Sequence, residues 1–76
     1  MIYRVYVEFK VGILDPEAEA IKRTINQLGI KSLKNISKGK FFDIEFSKED
    51  NYSDIERISK DLLSNPIIEN FKIVKK

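Results

Sequence analysis

The chain has 76 residues, a formal net charge of +2, and neither Cys nor His. We expect one small domain over residues 1–76, because the length suits a single core and 42% of the residues are apolar. Without Cys and His, the chain cannot form a disulfide, a thiol nucleophile, a Ser-His-Asp triad or a common zinc site. No apolar run is typical of a secretory leader or a membrane span, which favours a cytoplasmic location.

The first predicted elements are a strand and a helix. Apolar and polar side chains alternate over residues 2–10, as they do in a half-buried strand. Asp15 is suited to cap the free N–H groups of a helix that begins at Pro16. The helix is expected to end at Gly29, which readily adopts the left-handed backbone conformation. Its apolar stripe, at helical spacing, is formed by Ala18, Ile21, Ile25 and Leu28.

A hairpin is predicted next. Residues 31–37 and residues 40–47 are expected to form the second and third strands, joined by a tight turn at Lys38 and Gly39. Apolar and acidic side chains alternate in the third strand, so one of its faces is expected to be buried. Residues 49–51 are expected to form a loop.

A second helix and a fourth strand complete the predicted order. Ser53 and Glu56 have the spacing of a capping box, which predicts the start of a helix. Asn65 and Pro66 predict its end, because Pro cannot continue a helix and Asn tolerates the left-handed conformation. Residues 68–74 predict the last strand.

The order β-α-β-β-α-β predicts an α+β fold of the ferredoxin-like, split β-α-β type. In this fold a four-stranded antiparallel sheet carries two helices on one face, and each helix buries its apolar stripe against the sheet. The predicted core consists of Val5, Val7, Phe9, Ile21, Ile25, Leu28, Phe42, Ile44, Phe46, Ile55, Ile58, Leu62, Phe71 and Ile73.

The sheet face that the helices leave open is predicted to carry Arg4, Tyr6 and Phe41. Nucleic-acid stacking, protein docking and plain exposure to solvent are three possible uses of this face. Asp43 and Glu45 lie on the same face and disfavour RNA, because carboxylates repel phosphates. A domain this small without a disulfide or metal often self-associates, so Arg4, Tyr6 and Phe41 form a candidate dimer face.

Residues with catalytic potential are few. Asp43 and Glu45 alternate outward on one strand, which is typical of solvated side chains rather than of a metal site or an acid–base pair. Asp15 is better explained as a helix cap than as a catalytic carboxylate. We therefore expect no catalytic residue, no cofactor-binding residue and no metal site in this chain.

Three segments resemble one known family, the PurS-type small subunit of phosphoribosylformylglycinamidine synthase. Residues 11–16 (VGILDP) are similar to its K-x-G-V-L-D-P motif, and residues 37–40 (SKGK) to its R-x-G-K turn. Residues 62–71 (LLSNPIIENF) are similar to its L-L-A-N-P-V-I-E-D-Y motif. The chain departs from the family at Ser37, where Arg is common, and at Glu17-Ala18, where Gln-Gly is common.

The resemblance implies a role in the fourth step of purine biosynthesis. In this family the small subunit is a homodimer that bridges a glutaminase subunit and a large ATP-dependent synthetase subunit. Two such dimers forming a tetramer is left open as an alternative. The small subunit is implied to assist ammonia transfer between these two subunits. No cofactor is implied for the small subunit itself, whereas the partner subunits use ATP, Mg and glutamine. Neither a nucleic acid nor a membrane is implied as a partner.

The residues expected to contact the partner subunits lie in or beside the three segments. They are Lys10, Asp15, Pro16, Lys38, Gly39, Lys40, Asn65, Pro66 and Glu69. Local structure explains Asp15, Gly39 and Pro66 equally well, as a helix cap, a turn and a helix stop. The alternative functions are a free-standing regulatory domain of the same topology that binds a small ligand, and a module that binds single-stranded RNA.

Overall fold

The computed structural model describes residues 1–47 and 52–76 of the chain, so the predicted loop at residues 49–51 lies outside the described residues. The elements in chain order are β1 (Ile2–Phe9), α1 (Pro16–Gln27), β2 (Gly39–Glu45), α2 (Tyr52–Ile58), a π-helical turn (Ser59–Leu63) and β3 (Glu69–Lys75). The fold is therefore α+β, as predicted.

β1 is the central strand of an antiparallel sheet with the order β2-β1-β3. Val5 lies opposite Phe42 in β2 and opposite Ile73 in β3, so apolar residues of all three strands share one face. The alternation predicted for β1 is confirmed, since Val5 and Val7 are buried and Tyr6 is exposed.

The hydrophobic core lies between this sheet and α2. Ile55 of α2 is fully buried and belongs to one cluster with Tyr3, Val5 and Val7 of β1. Half-buried residues from the chain start, the other strands and the π-helical turn surround the cluster: Met1, Phe42, Ile44, Phe46, Leu63, Phe71 and Ile73. We call the sheet with α2 and the π-helical turn the body.

The end of α2 shows how the predicted helix stop is built. Within the π-helical turn, the Ser59 hydroxyl donates to the carbonyl of Ile55 at 2.7 Å. The Ser64 hydroxyl donates to the carbonyl of Ser59, also at 2.7 Å. These hydroxyls satisfy carbonyl groups where regular α-helical bonding stops. The helix starts at Tyr52, so Ser53 lies within it and the predicted start, with Ser53 as the cap before Asp54, is wrong.

The residues between β1 and β2 project from the body, and we call residues 16–38 the arm. α1 starts and ends as predicted, because Asp15 caps it and Gly29 follows it with φ of +88°. Residues 30–38 then return to β2 without a backbone–backbone hydrogen bond to any described residue. The molecule measures 51 × 24 × 14 Å, and its radius of gyration is 16.1 Å. A compact chain of this length has a radius of about 11 Å.

The predicted four-stranded sheet is not formed. Residues 31–37 contain no strand, so the described part of the chain has a three-stranded sheet and no hairpin turn at Lys38 and Gly39. A strand requires a neighbouring strand edge for its backbone groups, and this segment does not pair with β2; its last residues, from Asn35, line a cavity with the start of α1 instead.

The prediction that both helices bury their stripes on the sheet is wrong for α1. Ala18 is buried, but Ile21 is 38% exposed and Leu28 is 72% exposed. Leu62, at the end of the second predicted stripe, is 77% exposed. An amphipathic pattern shows which side of a helix is apolar and favours burial, but it does not show which surface covers that side.

Candidate functional site

Three segments that are distant in the sequence meet at one end of the sheet. They follow β1 (residues 10–16), lead into β2 (residues 38–40) and lead into β3 (residues 65–69). The end of the central strand lies beside the starts of both neighbours, with Glu8 opposite Gly39 and Phe9 opposite Glu69. We call this end the junction surface. It brings together all nine residues that are predicted to contact the partner subunits.

Asp15 connects the start of the arm to the start of β2. Its Oδ1 accepts hydrogen bonds from the N–H groups of Glu17 (3.0 Å) and Ala18 (3.3 Å). Its buried Oδ2 lies 3.3 Å from Nζ of Lys38, which is an ion pair rather than a well-directed hydrogen bond. The same ammonium lies 3.4 Å from Glu17. Lys38 therefore ties the end of the arm to its start.

The charges of this ion pair stabilise each other. Burial alone would raise the pKa of Asp15, but the N–H groups and the Lys38 ammonium outweigh burial and hold that pKa below its ordinary value. The Asp15 carboxylate, opposed by burial and assisted by Glu17, raises the pKa of Lys38. Both groups are therefore charged at neutral pH, and Asp15 is held as a cap instead of being available as a base.

Gly39 is needed for a close approach between two strands. A Cβ atom at this position would lie 2.7 Å from the carbonyl oxygen of Val7, which is too short for any contact between those atoms. Gly39 is not among the glycines with positive φ, so the tight turn expected from sequence is not the reason for it. The constraint comes from β1 and could not be seen in the local sequence.

Polar side chains of residues 65–69 shape the turn before β3. Oδ1 of Asn65 accepts a hydrogen bond from the N–H of Ile67 at 3.1 Å, and Oε1 of Glu69 accepts one from the N–H of Asn65 at 2.7 Å. The carbonyl of Asn65 also accepts from the N–H groups of Ile68 and Glu69. Ile67, by contrast, is 80% exposed at the tip of the turn. Asn65 and Glu69 therefore hold the turn, and Ile67 is its free apolar side chain.

Two further contacts fasten this turn to the rest of the junction surface. The N–H of Lys10 donates to the carbonyl of Ile68 at 2.9 Å. Nζ of Lys40 lies 4.0 Å from Oε2 of Glu69. All three segments are thus connected to one another, through a backbone hydrogen bond in one case and through ion pairs in the others.

An open cavity of about 380 Å³ lies at the base of the arm. The end of β1, the start of α1 and the last residues of the return segment line it, including Lys10, Asp15, Ser37 and Lys38.

The outer face of the sheet carries the predicted dimer-face residues. The Arg4 guanidinium donates to both carboxylate oxygens of Asp43, at 2.8 and 2.9 Å. Its central carbon lies 4.1 Å from the centroid of the Phe41 ring, and that ring lies 6.1 Å from the Tyr6 ring. The three predicted residues therefore form one ordered patch.

Asp43 is more than the solvated carboxylate that its sequence position indicates. Its hydrogen bonds with Arg4, opposed by burial and assisted by Lys76 at 3.5 Å, lower the pKa of Asp43 to about 2. The cross-strand register that places Arg4 opposite Asp43 was needed to find this pair. The positive charge of Arg4 is therefore neutralised within the chain.

Residues 1–47 and 52–76 contain no group of three or more acidic side chains placed to hold a metal ion. In the same residues, no helix has both the length and the apolar character that crossing a membrane requires.

The family model PurS, described as phosphoribosylformylglycinamidine (FGAM) synthase, matches residues 2–76. The chain belongs to the PurS family. It is 39% identical to the subunit PurS of Archaeoglobus fulgidus, with 97% of this chain and 96% of that protein covered. It is 33% identical to the subunit PurS of Methanocaldococcus jannaschii, with 91% and 87% covered. The chain is thus a subunit of phosphoribosylformylglycinamidine synthase, a ligase complex of purine biosynthesis.

Solved structures agree with this assignment. The crystal structure of PurS from M. jannaschii is similar with a TM-score of 0.80 and 32% identity, over 96% of this chain and 92% of that one. A chain in the structure of PurLQS from Thermotoga maritima shares the fold with a TM-score of 0.77 and 21% identity, over 100% and 99%.

One contact of the junction surface was missed by the sequence reasoning. Glu17 was treated as a departure from the family motif, yet it supplies the second carboxylate to Lys38. Its position as the second residue of the helix gave no sign of this contact, because Lys38 follows 21 positions later in the sequence and comes close only in the folded chain.

Proposed function

We propose that the chain is a non-catalytic homodimeric subunit in the cytoplasm that bridges the glutaminase and synthetase subunits of the complex. The observation that carries the proposal is the junction surface, where three motifs of the family converge at one end of a sheet. Membership of the PurS family supports it, as does the likeness to a chain of the structure named PurLQS.

The junction surface is suited to docking because it combines fixed polar groups with an exposed apolar tip. Asn65 and Glu69 hold the turn in one conformation, and Ile67 projects from it. Binding a preformed surface costs little conformational entropy, and an apolar side chain at its centre is the usual source of affinity.

The small hydrophobic core of the body supports self-association. Its buried cluster consists of four side chains from β1 and α2, namely Tyr3, Val5, Val7 and Ile55. Exposed apolar side chains such as Leu28 and Leu62 remain on the surface of the single chain. Chains of this size without disulfides commonly gain their stability from a second copy.

Bridging serves the chemistry without a catalytic residue in this chain. Ammonia released into water at neutral pH is mostly protonated and loses its nucleophilicity. A subunit that holds the glutaminase and synthetase active sites in a closed arrangement keeps ammonia unprotonated and close to its acceptor. We infer that ATP, Mg and glutamine are bound by the partner subunits.

Reconstitution with the two partner subunits tests the proposal. Glutamine-dependent synthesis should require this chain, whereas synthesis from added ammonium salt by the synthetase subunit should be affected much less. Ile67→Asp should weaken binding of the chain to its partners by ~100-fold or more, because it places a charge at the centre of the contact. Ile67→Val should bind as the native chain does.

Two results would contradict the proposal. One is glutamine-dependent synthesis at the full rate without this chain. The other is tight binding of an amino acid or nucleotide together with no affinity for either partner subunit. The second result would favour a regulatory ligand-binding domain, whereas binding to single-stranded RNA with steep salt dependence would favour a nucleic-acid module.

A further inference from the structure

The bridging role proposed above requires two unlike docking surfaces, and the junction surface supplies only one of them. A second copy of the chain repeats that surface without adding a different one. A surface discriminates between partners by a difference of affinities, so one surface is poorly suited to hold both the glutaminase and the synthetase subunit. A second surface is therefore expected elsewhere on the chain.

The outer face of the sheet is exposed and carries the side chains that such a surface needs. It is the side that bears Arg4, Tyr6 and Glu8 of β1, together with the residues opposite them in β2 and β3. Because α2 packs on the other side, with Val5, the rings of Tyr6 and Phe41 are 43% and 53% exposed. Tyr and Arg are among the residues that most often dominate the affinity of protein interfaces.

Contacts within the chain hold the centre of the outer face in one arrangement. Arg4 is fixed by its two hydrogen bonds with Asp43 and by the Phe41 ring, whose centroid lies 4.1 Å from the guanidinium carbon. The Tyr6 ring in turn lies 6.1 Å from the Phe41 ring. A partner therefore meets groups that are already ordered, and binding them costs little side-chain entropy.

Two open depressions flank Tyr6 on this face. One, of about 510 Å³, lies toward β3, and its lining includes Tyr6, Glu8 and Lys72. The other, of about 300 Å³, lies toward β2, where Gly39 has no side chain to fill the space, and its lining includes Tyr6, Glu8 and Phe41. Tyr6 thus forms a ridge with room for a partner side chain on each side.

Unpaired charges line these depressions. Among the residues that the structure describes, none forms a side-chain hydrogen bond or an ion pair with Glu8 or Lys72. Arg4, by contrast, is already neutralised by Asp43. The face therefore offers one free carboxylate and one free ammonium group, and a complementary surface supplies a cation for the first and a carboxylate for the second.

A second copy of the outer face does not supply the cation that Glu8 lacks. In a fully overlapping stack of two such faces with aligned strands, the central strand β1 lies over β1 of the copy. The outer side chains of β1 include no unpaired cation, because Arg4 is held by Asp43. The charges of this face therefore fit an unlike surface better than a copy.

We propose that the outer face is the second docking surface of the bridge and is occupied by one of the two partner subunits. That subunit presents a basic side chain to Glu8, a carboxylate to Lys72 and apolar contact to the rings of Tyr6 and Phe41. The other partner subunit is held at the junction surface, so that one chain contacts both. This inference rests on the bridging role proposed above and names where its second contact lies.

Exchanging the two free charges tests the proposal. The double variant Glu8→Lys, Lys72→Glu keeps the net charge at +2, so a loss of binding reflects the face and not long-range attraction. Calorimetry measures the binding of each purified partner subunit separately. We expect one partner subunit to bind ~100-fold more weakly and the other to bind as it does to the native chain. Tyr6→Ala should weaken the same partner subunit by ~100-fold.

Lys75→Glu is the matched control. Lys75 lies on β3 but on the other side of the sheet, opposite Tyr3, and it is exposed. Both partner subunits should bind this variant as they bind the native chain, although its net charge changes by two. The double variant should also keep the native oligomeric state in sedimentation and the native circular dichroism, because Glu8 and Lys72 are exposed.

Each other outcome counts against the proposal. Native binding of both partner subunits by the double variant and by Tyr6→Ala overturns the outer face as a docking surface and leaves the bridging role in place. Equal loss of both partner subunits means that the outer face and the junction surface act as one surface. A changed oligomeric state assigns the face to a second copy, and RNA binding that Tyr6→Ala abolishes assigns it to nucleic acid. A native chain that binds neither partner subunit overturns the proposed function itself.

Discussion

The body and the arm obey the same local rules but differ in how they are stabilised. In the body, the sheet and α2 cover each other, and Ile55 is completely buried. In the arm, α1 has a well-formed cap at Asp15 and a well-formed end at Gly29, yet Ile21 and Leu28 of its apolar stripe are exposed. The comparison teaches that a correct helix is not the same as a packed helix. Capping and periodicity establish the first, and only a covering surface establishes the second.

The largest expected contrast comes from the same substitution in the two regions. Ile55→Ala should lower the free energy of unfolding by about 4 kcal/mol, because it leaves a cavity in the centre of the core. Ile21→Ala should cost about 1 kcal/mol in the single chain, since the side chain is already partly exposed. Urea denaturation, followed by circular dichroism, measures both.

Protein concentration sharpens this contrast. The loss caused by Ile55→Ala should be similar at every concentration. The loss caused by Ile21→Ala should grow as the concentration is raised into the range where copies associate, since dimerisation contributes to stability by mass action. Equal losses for the two variants in dilute solution would mean that α1 is packed within its own chain.

A smaller contrast is expected between two glycines. Gly39→Ala should cost about 2 kcal/mol, because its Cβ would meet the Val7 carbonyl and the strands must separate to admit it. Gly29→Ala should cost about 1 kcal/mol, because Ala must adopt a positive φ although no atom lies within 4 Å of its Cβ.

Hydrogen exchange shows where each glycine variant acts. Gly39→Ala should speed exchange of amides throughout the sheet, whereas Gly29→Ala should speed exchange in the last turn of α1 alone. Faster exchange in the sheet of the Gly29→Ala chain would show that the arm and the body unfold as one unit.

The smallest expected effect is the pH dependence of the Arg4–Asp43 pair on the body. The pKa of Asp43 is lowered to about 2 in the folded chain, so its stabilisation is complete above its ordinary pKa of 3.8 and is lost as the pH falls to about 2. Native and Asp43→Asn chains should therefore differ in melting temperature at pH 6 and converge near pH 2. Glu45→Gln, on the same strand face, is the matched control and should not reproduce this convergence.

Local signals explain which parts of the fold could be predicted. The alternation of β1, the cap at Asp15, the helix end at Gly29 and the stop at Asn65-Pro66 all depend on neighbours within a few residues, and all are present in the structure. The three segments of the junction surface could be selected from the sequence because their motifs are contiguous, and their contact with partner subunits stays a prediction.

The amino-acid sequence by itself therefore determined five of the six predicted elements, the α+β class and the membership of the PurS family. Only the tertiary structure decided that residues 31–37 stay unpaired, that α1 leaves the sheet, and that Gly39 is required by Val7. The physical reason is the distance along the chain over which each interaction acts. Caps, turns and periodicity are short-range properties of a chain, whereas the choice of a covering surface depends on groups far away in sequence or on a second copy.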